Sequence, residues 1–432
     1  MLRLLRDNRD YRLLWLGQVV SQLGDWFSSV ALYALLYELT GSATAVAGIM
    51  VVQMLPLAVV SPTAGVLVDR FDRRRIMIAA DVIRGAAILG LLLVRTPSVV
   101  WIAYAVTGLS VAATGFFEPA RSATVPMIVP RDQLVTANAI STGTWSVMLA
   151  LGASLGGGVA AIFGRNAAFL LNSASFFASA LFLWRMHVPA RDPDLRASSG
   201  WHGLIEGWRY MRAHRPVARI AFVKGGWAIV GGALLLLTVF GDRVFRPGGS
   251  GDAGIGILFA ARGIGAAAGS FIVTVLARRS AGGLTRLIGP SYIIAGACYA
   301  TLSLAPSIWF AAATVVAAHT FGSILWVASN VLLQMNVPDE FRGRVFAAEL
   351  MALSFVQSVI AYLTGVGLDT LHISPRVLAV VIGLGLWIPA IAWRKTGTTG
   401  TTGTTGTTGT TGTTGTRNVS PANFLVEKDR LR

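Results

Sequence analysis

One cysteine, Cys298, in 432 residues excludes an intramolecular disulfide framework and any cysteine-rich metal site. Charge is scarce too. Only 13% of residues are Asp, Glu, Lys or Arg, about half the share of an ordinary soluble protein. With 54% apolar residues and a mean hydropathy of +0.64, the chain lacks the polar surface that two or three soluble domains of this length would need. Lysine is nearly missing, three against 33 arginines, and 20 acids leave a net charge of +16. A basic balance raises nucleic acid or anionic lipid as partners, and the location of the cations decides between them. Chemistry-bearing motifs are also missing. No G-x-x-x-x-G-K-[ST] cradles nucleotide phosphates, no H-E-x-x-H or paired Cys/His spacing holds a metal, and no nucleophile–base set stands out. The expectation is a polytopic membrane protein that is not an enzyme and uses neither metal nor cofactor.

Apolar runs of about 20 residues are what a helix needs to cross the hydrocarbon core. Twelve such runs occur, at 13–37, 44–68, 76–94, 98–118, 137–162, 167–186, 220–241, 253–276, 287–304, 308–332, 346–368 and 375–393. The first is polar-dotted and has no small-residue cleavage pattern after it, so it reads as a retained span. With the N-terminus inside, 28 of the 36 basic residues fall on the cytoplasmic side, five outside and three within spans. Arg3, Arg6, Arg9 and Arg12 open the chain, and seven more, Arg185 to Arg219, lie at the start of the central loop and within it. That bias predicts both termini in the cytoplasm of a cell-membrane protein. It disposes of nucleic acid as a partner, because the charge is spread over short loops on one face, beside lipid.

The longest loop divides the chain into a six-span half at 1–186, a central loop at 187–219 and a second half at 220–394. Within the loop, "WHGLIEGWRYMRAHRPVAR" mixes Trp201, Leu204, Trp208 and Met211 with arginines. It suits a helix at the membrane surface or a solvated linker helix. A repeat supports the halving: "PMIVPRDQLVTANA" at 126–139 resembles "LQMNVPDEFRGRVFAA" at 333–348, with Met127 on Met335 and Pro130 on Pro338. Residues 395–432 form a third compositional class, with Thr-Gly-Thr repeats over 396–416. With no apolar face to bury, they are expected to be a disordered spacer.

Between spans two and three lies "GVLVDRFDRRRIM", Gly65 to Met77. Gly65 permits close helix packing, Asp69 can accept hydrogen bonds from the N-terminus of a facing helix, and the arginines can pair with acids or headgroups. Span eleven, starting near Arg344, is the expected partner of Asp69. Small residues recur in span five as Gly143, Gly152 and Gly156, either a packing face or a specialised motif.

These strings carry a resemblance. Gly65, Leu67, Asp69, Arg70, Arg73 and Arg74 match the signature G-x-L-A-D-R-x-G-R-K/R of the major facilitator superfamily, departing at Val68 and Asp72. Asp72 in the usual glycine slot is similar to the branch with macrolide-efflux proteins and the enterobactin exporter. So are "NRDYRLLWLGQVVSQLGDWFSSVAL", "LTGSATA" and "GFFEPARSATVPMIVPRDQLVTANAI". The resemblance covers most of 8–394. It implies an all-α fold of twelve transmembrane helices in two six-helix pseudo-repeats, and proton-driven export of a small molecule by alternating access. It implies a cytoplasmic gate at Asp69 and Arg73, with Glu118 and Arg121 as candidate partners. The span-five glycines resemble the antiporter motif G-x8-G-x3-G-P-x2-G-G, but Gly157 replaces its proline.

Polar residues inside spans are costly and mark function. Span one carries Gln18, Gln22, Asp25 and Ser29 on one stripe, and span ten repeats it with His319, Ser323, Trp326 and Asn330. Span four adds Thr107, Ser110, Thr114, Glu118 and Arg121, and span seven adds Lys224, Trp227 and Thr238. In the fold implied by the resemblance, spans one, four, seven and ten line the central cavity. Asp25, at mid-span, is the first candidate for proton coupling, because lost hydration penalises its charged form. His319 is the second, by its near-neutral titration or, alternatively, a packing residue. Arg262 can pair with Asp25 or meet an anionic substrate, and Asp81 and Arg84, at i and i+3, neutralise each other. Trp26, Trp227 and Trp326 with Phe117 suit a bulky, partly apolar drug or siderophore, or helix packing. The expected protein is a monomeric exporter driven by the proton gradient. A uniporter or importer of an amphipathic metabolite, and a non-transporting scaffold or sensor, are the alternatives.

Overall fold

The computed structural model describes residues 2–188, 200–277 and 281–397. The Thr-Gly-Thr tail beyond 397 lies outside the described residues. Every described element is helical, and the helices follow the apolar runs. After a short helix α1 (Leu2–Asp7), α2 (Arg9–Thr40) starts on Asn8, whose side chain accepts from the Tyr11 amide at 2.9 Å. It stops at Gly41, whose φ of 63° is open to glycine at no steric cost. Ser42 then caps α3 (Ala43–Arg70), accepting from the Ala45 amide at 3.1 Å. Asp72 caps α4 (Arg73–Leu89) in the same way, through the Arg75 amide at 2.9 Å. The aspartate that departs from the superfamily signature thus has a local reason: it starts the next helix.

The remaining helices are α5 (Val100–Ile128), α6 (Leu134–Phe163), α7 (Arg165–Trp184), α8 (Gly200–Ala213), α9 (Arg215–Trp227), α10 (Val230–Val239), α11 (Gly251–Ala277), α12 (Ala281–Leu302), α13 (Ile308–Asn336), α14 (Asp339–Asp369), α15 (Pro375–Gly385) and α16 (Trp387–Gly397). Nine stretches among the described residues are long and apolar enough to cross a membrane. The other three expected spans coincide with α3, α6 and α12. Spans seven and twelve are interrupted, at Ala228–Ile229 and at Leu386. The expected loop helix exists as α8 and sits against α14.

Helices α2 and α7 pack together, as do α4 with α5 and α7, α11 with α13, and α12 with α13 and α15. The first six long helices meet the later ones mainly along α6 with α11 and α3 with α14. Many large apolar side chains remain on the outside, including Ile162, Phe271 and Ile388. Trp101, Trp184 and Trp309 stand exposed at helix ends, where an aromatic belt meets headgroups. In water such a surface would aggregate; in a bilayer it is the solvated face. The chain is a multi-pass membrane protein.

Candidate functional site

A cavity of about 330 Å³ lies inside the bundle, walled by residues of α2, α3, α4, α5, α6, α7, α10, α11 and α14. Asp25, Trp26, Ser29, Thr114 and Arg262, all expected from the sequence, are on its wall. Gln18, Gln22, Trp227, Ser323, Trp326, Asn330 and His319 are not among its lining residues. Polar residues of α13 make hydrogen bonds to neighbouring helices. His319 is buried, 2.7 Å from the Tyr299 hydroxyl of α12 and edge-on to Trp227. Ser323 hydrogen-bonds Ser270 of α11 at 2.8 Å, and Asn330 accepts from Lys224 of α9 at 2.7 Å. Gln18 is buried and donates to the Ser141 carbonyl of α6 at 3.3 Å.

Two wall residues, Asp25 and Arg84, form an acid–base–acid cluster with the buried Asp81. The Arg84 guanidinium lies 2.9 Å from Asp25 and 3.3 Å from Asp81, with the three side chains 7%, 43% and 0% exposed in that order. Its Cζ sits 3.9 Å from the centre of the Phe176 ring. Asp81 and Arg84 are therefore a pair, as their spacing predicts, but Arg84 also belongs to Asp25. Two carboxylates sharing one guanidinium carry one excess negative charge unless a proton neutralises it. One oxygen of Asp81 has no hydrogen-bond partner among the described residues.

Arg262 does not pair with Asp25. It faces the Trp26 and Phe259 rings at 5.6 and 5.9 Å, and no carboxylate lies within ion-pair distance of it among the described residues. Cation–π contact returns about 0.5–2 kcal/mol, whereas an arginine at mid-span costs about 2.5–3.5 kcal/mol on insertion scales. One ring does not cover that cost, and two do so only at the top of the range. Further polar residues complete the wall: Tyr33 donates to Gln53 at 2.5 Å, and Asn172 and Gln357 face the same space. Tyr33 extends the span-one stripe one turn beyond Ser29, while Gln53 and Asn172 lie on spans two and six, for which no polar stripe is expected from the sequence.

A second charge cluster lies outside the cavity. Lys224 is 2.6 Å from Glu349 and 2.7 Å from Asn330, with Trp326 at 4.8 Å, and the ion pair is only 6% and 2% exposed.

At the arginine-rich end of the bundle, Arg73 donates to the Ala123 carbonyl at 2.9 Å, and Arg74 to the carbonyls of Leu183 and Trp184. Both cations thus sit at helix C-termini, where the dipole favours them. Glu118 and Arg121 pair with each other at 2.8 Å. The surroundings of Gly65 and the side chains of Asp69 and Arg70 lie outside what the structure describes. At the opposite end, cross-bundle contacts are dense. Asp369, closing α14, accepts from the Ser42 hydroxyl at 2.6 Å and from the Ala43 and Thr44 amides at 3.0 and 2.7 Å, so it caps α3. Arg165 bridges Glu38 at 2.6 Å and Asp252 at 3.0 Å, and Arg243 donates to the Gly41 carbonyl at 2.8 Å.

The profile of a family described as transmembrane secretion effectors matches residues 5–384. The chain belongs to that family of major facilitator transporters. It is similar to an uncharacterised MFS-type transporter of Mycobacterium tuberculosis, 29% identical over 83% of this chain and 85% of that one. It is also similar to macrolide efflux protein A of Streptococcus pyogenes, 36% identical over 31% of this chain and 34% of that one. Among solved structures, a bacterial homologue of the human lysosomal transporter Spinster, in an inward-facing and occupied conformation, matches with a TM-score of 0.71. It is 16% identical, with 90% of this chain and 96% of that one covered, a likeness that establishes the fold. A major facilitator transporter is no enzyme, and the cavity is to be read for binding.

Proposed function

We propose that this transporter is a secondary active exporter that moves a small, partly apolar molecule out of the cell in exchange for protons. The observation that carries the reading is the Asp25–Arg84–Asp81 cluster, with Asp25 and Arg84 on the cavity wall and Asp81 fully buried, where two carboxylates compete for one guanidinium. A proton on Asp25 releases Arg84 to Asp81, and its loss draws Arg84 back. Proton occupancy is thereby coupled to the spacing of α2 and α4. The similarity to a macrolide efflux protein and the family's description favour outward movement. His319, tied to Tyr299 away from the cavity, is left out of the coupling set.

The arginine-rich end faces the cytoplasm of the cell membrane by the positive-inside rule. The halves 1–186 and 220–394, joined by the loop 187–219, rock about the cavity in a monomer that needs no cofactor. The Asp369 and Arg165 contacts hold the outer end shut. Gly65, Asp69, Arg70, Arg73, Arg74, Glu118 and Arg121 form the inner gate.

The test begins with a drug and siderophore susceptibility panel on a deletion strain, to find a cargo. Uphill accumulation of that cargo is then followed in energised inverted vesicles. Asp25→Asn is expected to lower it at least tenfold while downhill exchange persists. Normal uphill pumping by Asp25→Asn would remove Asp25 from the mechanism. Indifference of the native protein to a collapsed pH gradient would favour a uniporter.

A further inference from the structure

We infer that the cavity recognises its cargo by an acidic group, and that Arg262 is the residue that holds it; the cargo is an amphipathic organic carboxylate. This rests on the cavity being the cargo site. Three basic residues lie deep within the spans, and two have carboxylate partners: Arg84 with Asp25 and Asp81, and Lys224 with Glu349. Arg262 is the exception among the described residues. It lines the cavity and faces the Trp26 and Phe259 rings. Asp25, the residue before Trp26, is held by Arg84. The positive charge of Arg262 is thus left for something that enters.

The chemistry of the seat favours a carboxylate. A guanidinium beside aromatic rings keeps its in-plane N–H donors available, and that fork matches the two oxygens of a carboxylate. Around it, Leu32, Met50, Met54 and Leu234 offer an apolar wall for the rest of the molecule. The space, about 330 Å³, is at the small end of ligand pockets. An acid with an aromatic or aliphatic body fits both features, and a purely apolar compound leaves the cation unmatched.

The test uses two probes of the same shape and different charge, 1-naphthaleneacetate and 1-naphthaleneacetamide, with the purified full-length transporter in equilibrium dialysis. The acid is expected to bind at least tenfold more tightly than the amide. Arg262→Gln should abolish that preference while amide affinity stays within about twofold, which also shows the variant is folded. Arg262→Lys, keeping the charge and losing the fork, should retain part of the preference and covers the case in which the glutamine variant fails to fold. Equal binding of the two probes to the native protein, or an acid preference that survives Arg262→Gln, overturns the assignment. Ser29→Trp, which fills the cavity, separates this from the reading beneath it. If Ser29→Trp binds both probes as the native protein does, the cavity is not the cargo site and both readings fall. If it binds neither, the cavity stands and the Arg262 comparison decides alone.

Discussion

Lys224 and Glu349 are 2.6 Å apart and almost fully buried, on helices α9 and α14, far apart in sequence. Taking two charges out of water costs several kcal/mol each, and their mutual attraction repays this only when the geometry is close. The bond to Asn330 and the Trp326 ring help to hold the ammonium. Breaking such a pair from one side leaves a buried charge. Lys224→Met is therefore expected to destabilise the protein by about 3–5 kcal/mol, seen as a lower Tm in detergent. Lys224→Met combined with Glu349→Leu should recover most of the loss; a double variant no more stable than the single one would refute the pairing argument. The sequence makes Lys224 visible as an intramembrane cation, yet its partner is 125 positions away. Arg84 teaches the same lesson. Its neighbour at i−3, Asp81, is legible from helix geometry, while the bond to Asp25 exists because α2 and α4 both border the cavity.

Between elements, backbone approach decides. The glycines of α6 can be read as a specialised motif or as a packing face, and their surroundings favour packing. A Cβ on Gly156 would lie 2.6 Å from the Cα of Phe27, and one on Gly157 would lie 2.8 Å from the Cα of Gly256. The residue standing where the antiporter motif has proline is thus a glycine pressed against another glycine on α11. Gly143, in contrast, has open space around its would-be Cβ. Backbone atoms cannot rotate aside, so Gly156→Val should separate α6 from α2 and cost about 1–3 kcal/mol, as overpacking does. Gly143→Val should be nearly neutral. Comparing the two Tm values checks this, and equal losses would contradict the packing account. Element starts rest on local chemistry, because Asn8, Ser42 and Asp72 each cap the helix that follows.

For the molecule as a whole, the end opposite the arginines is fastened by groups from both parts of the chain. The Asp369 carboxylate takes three donors at the start of α3, where the helix dipole favours an anion. Arg165 ties α2 and α11 together through Glu38 and Asp252. If that end must open for release, loosening it shifts the population toward the opened state. In a Cys298→Ala background with Leu32→Cys on the cavity wall, Asp369→Ala is expected to raise the rate of labelling by an impermeant maleimide from the outer face severalfold. Arg165→Ala should act in the same direction. Unchanged labelling in both would mean that these contacts do not limit opening.

The sequence by itself determined the solvent of this protein, the helices that cross it and the orientation their arginines favour, because hydropathy, capping and charge placement act over one or two helical turns. It also drew attention to Asp25 and Arg262, since an ionisable side chain within an apolar run is conspicuous. What each of those charges meets was decided only by the tertiary structure. Asp25 found Arg84 and Arg262 found rings, while polar residues of α13 bonded to its neighbours and α3, α4 and α14 joined the cavity wall. Helical periodicity says which residues share a face, but the choice of the helix that covers that face depends on backbone approach at small residues and on pairing charges that cannot stay alone in a bilayer.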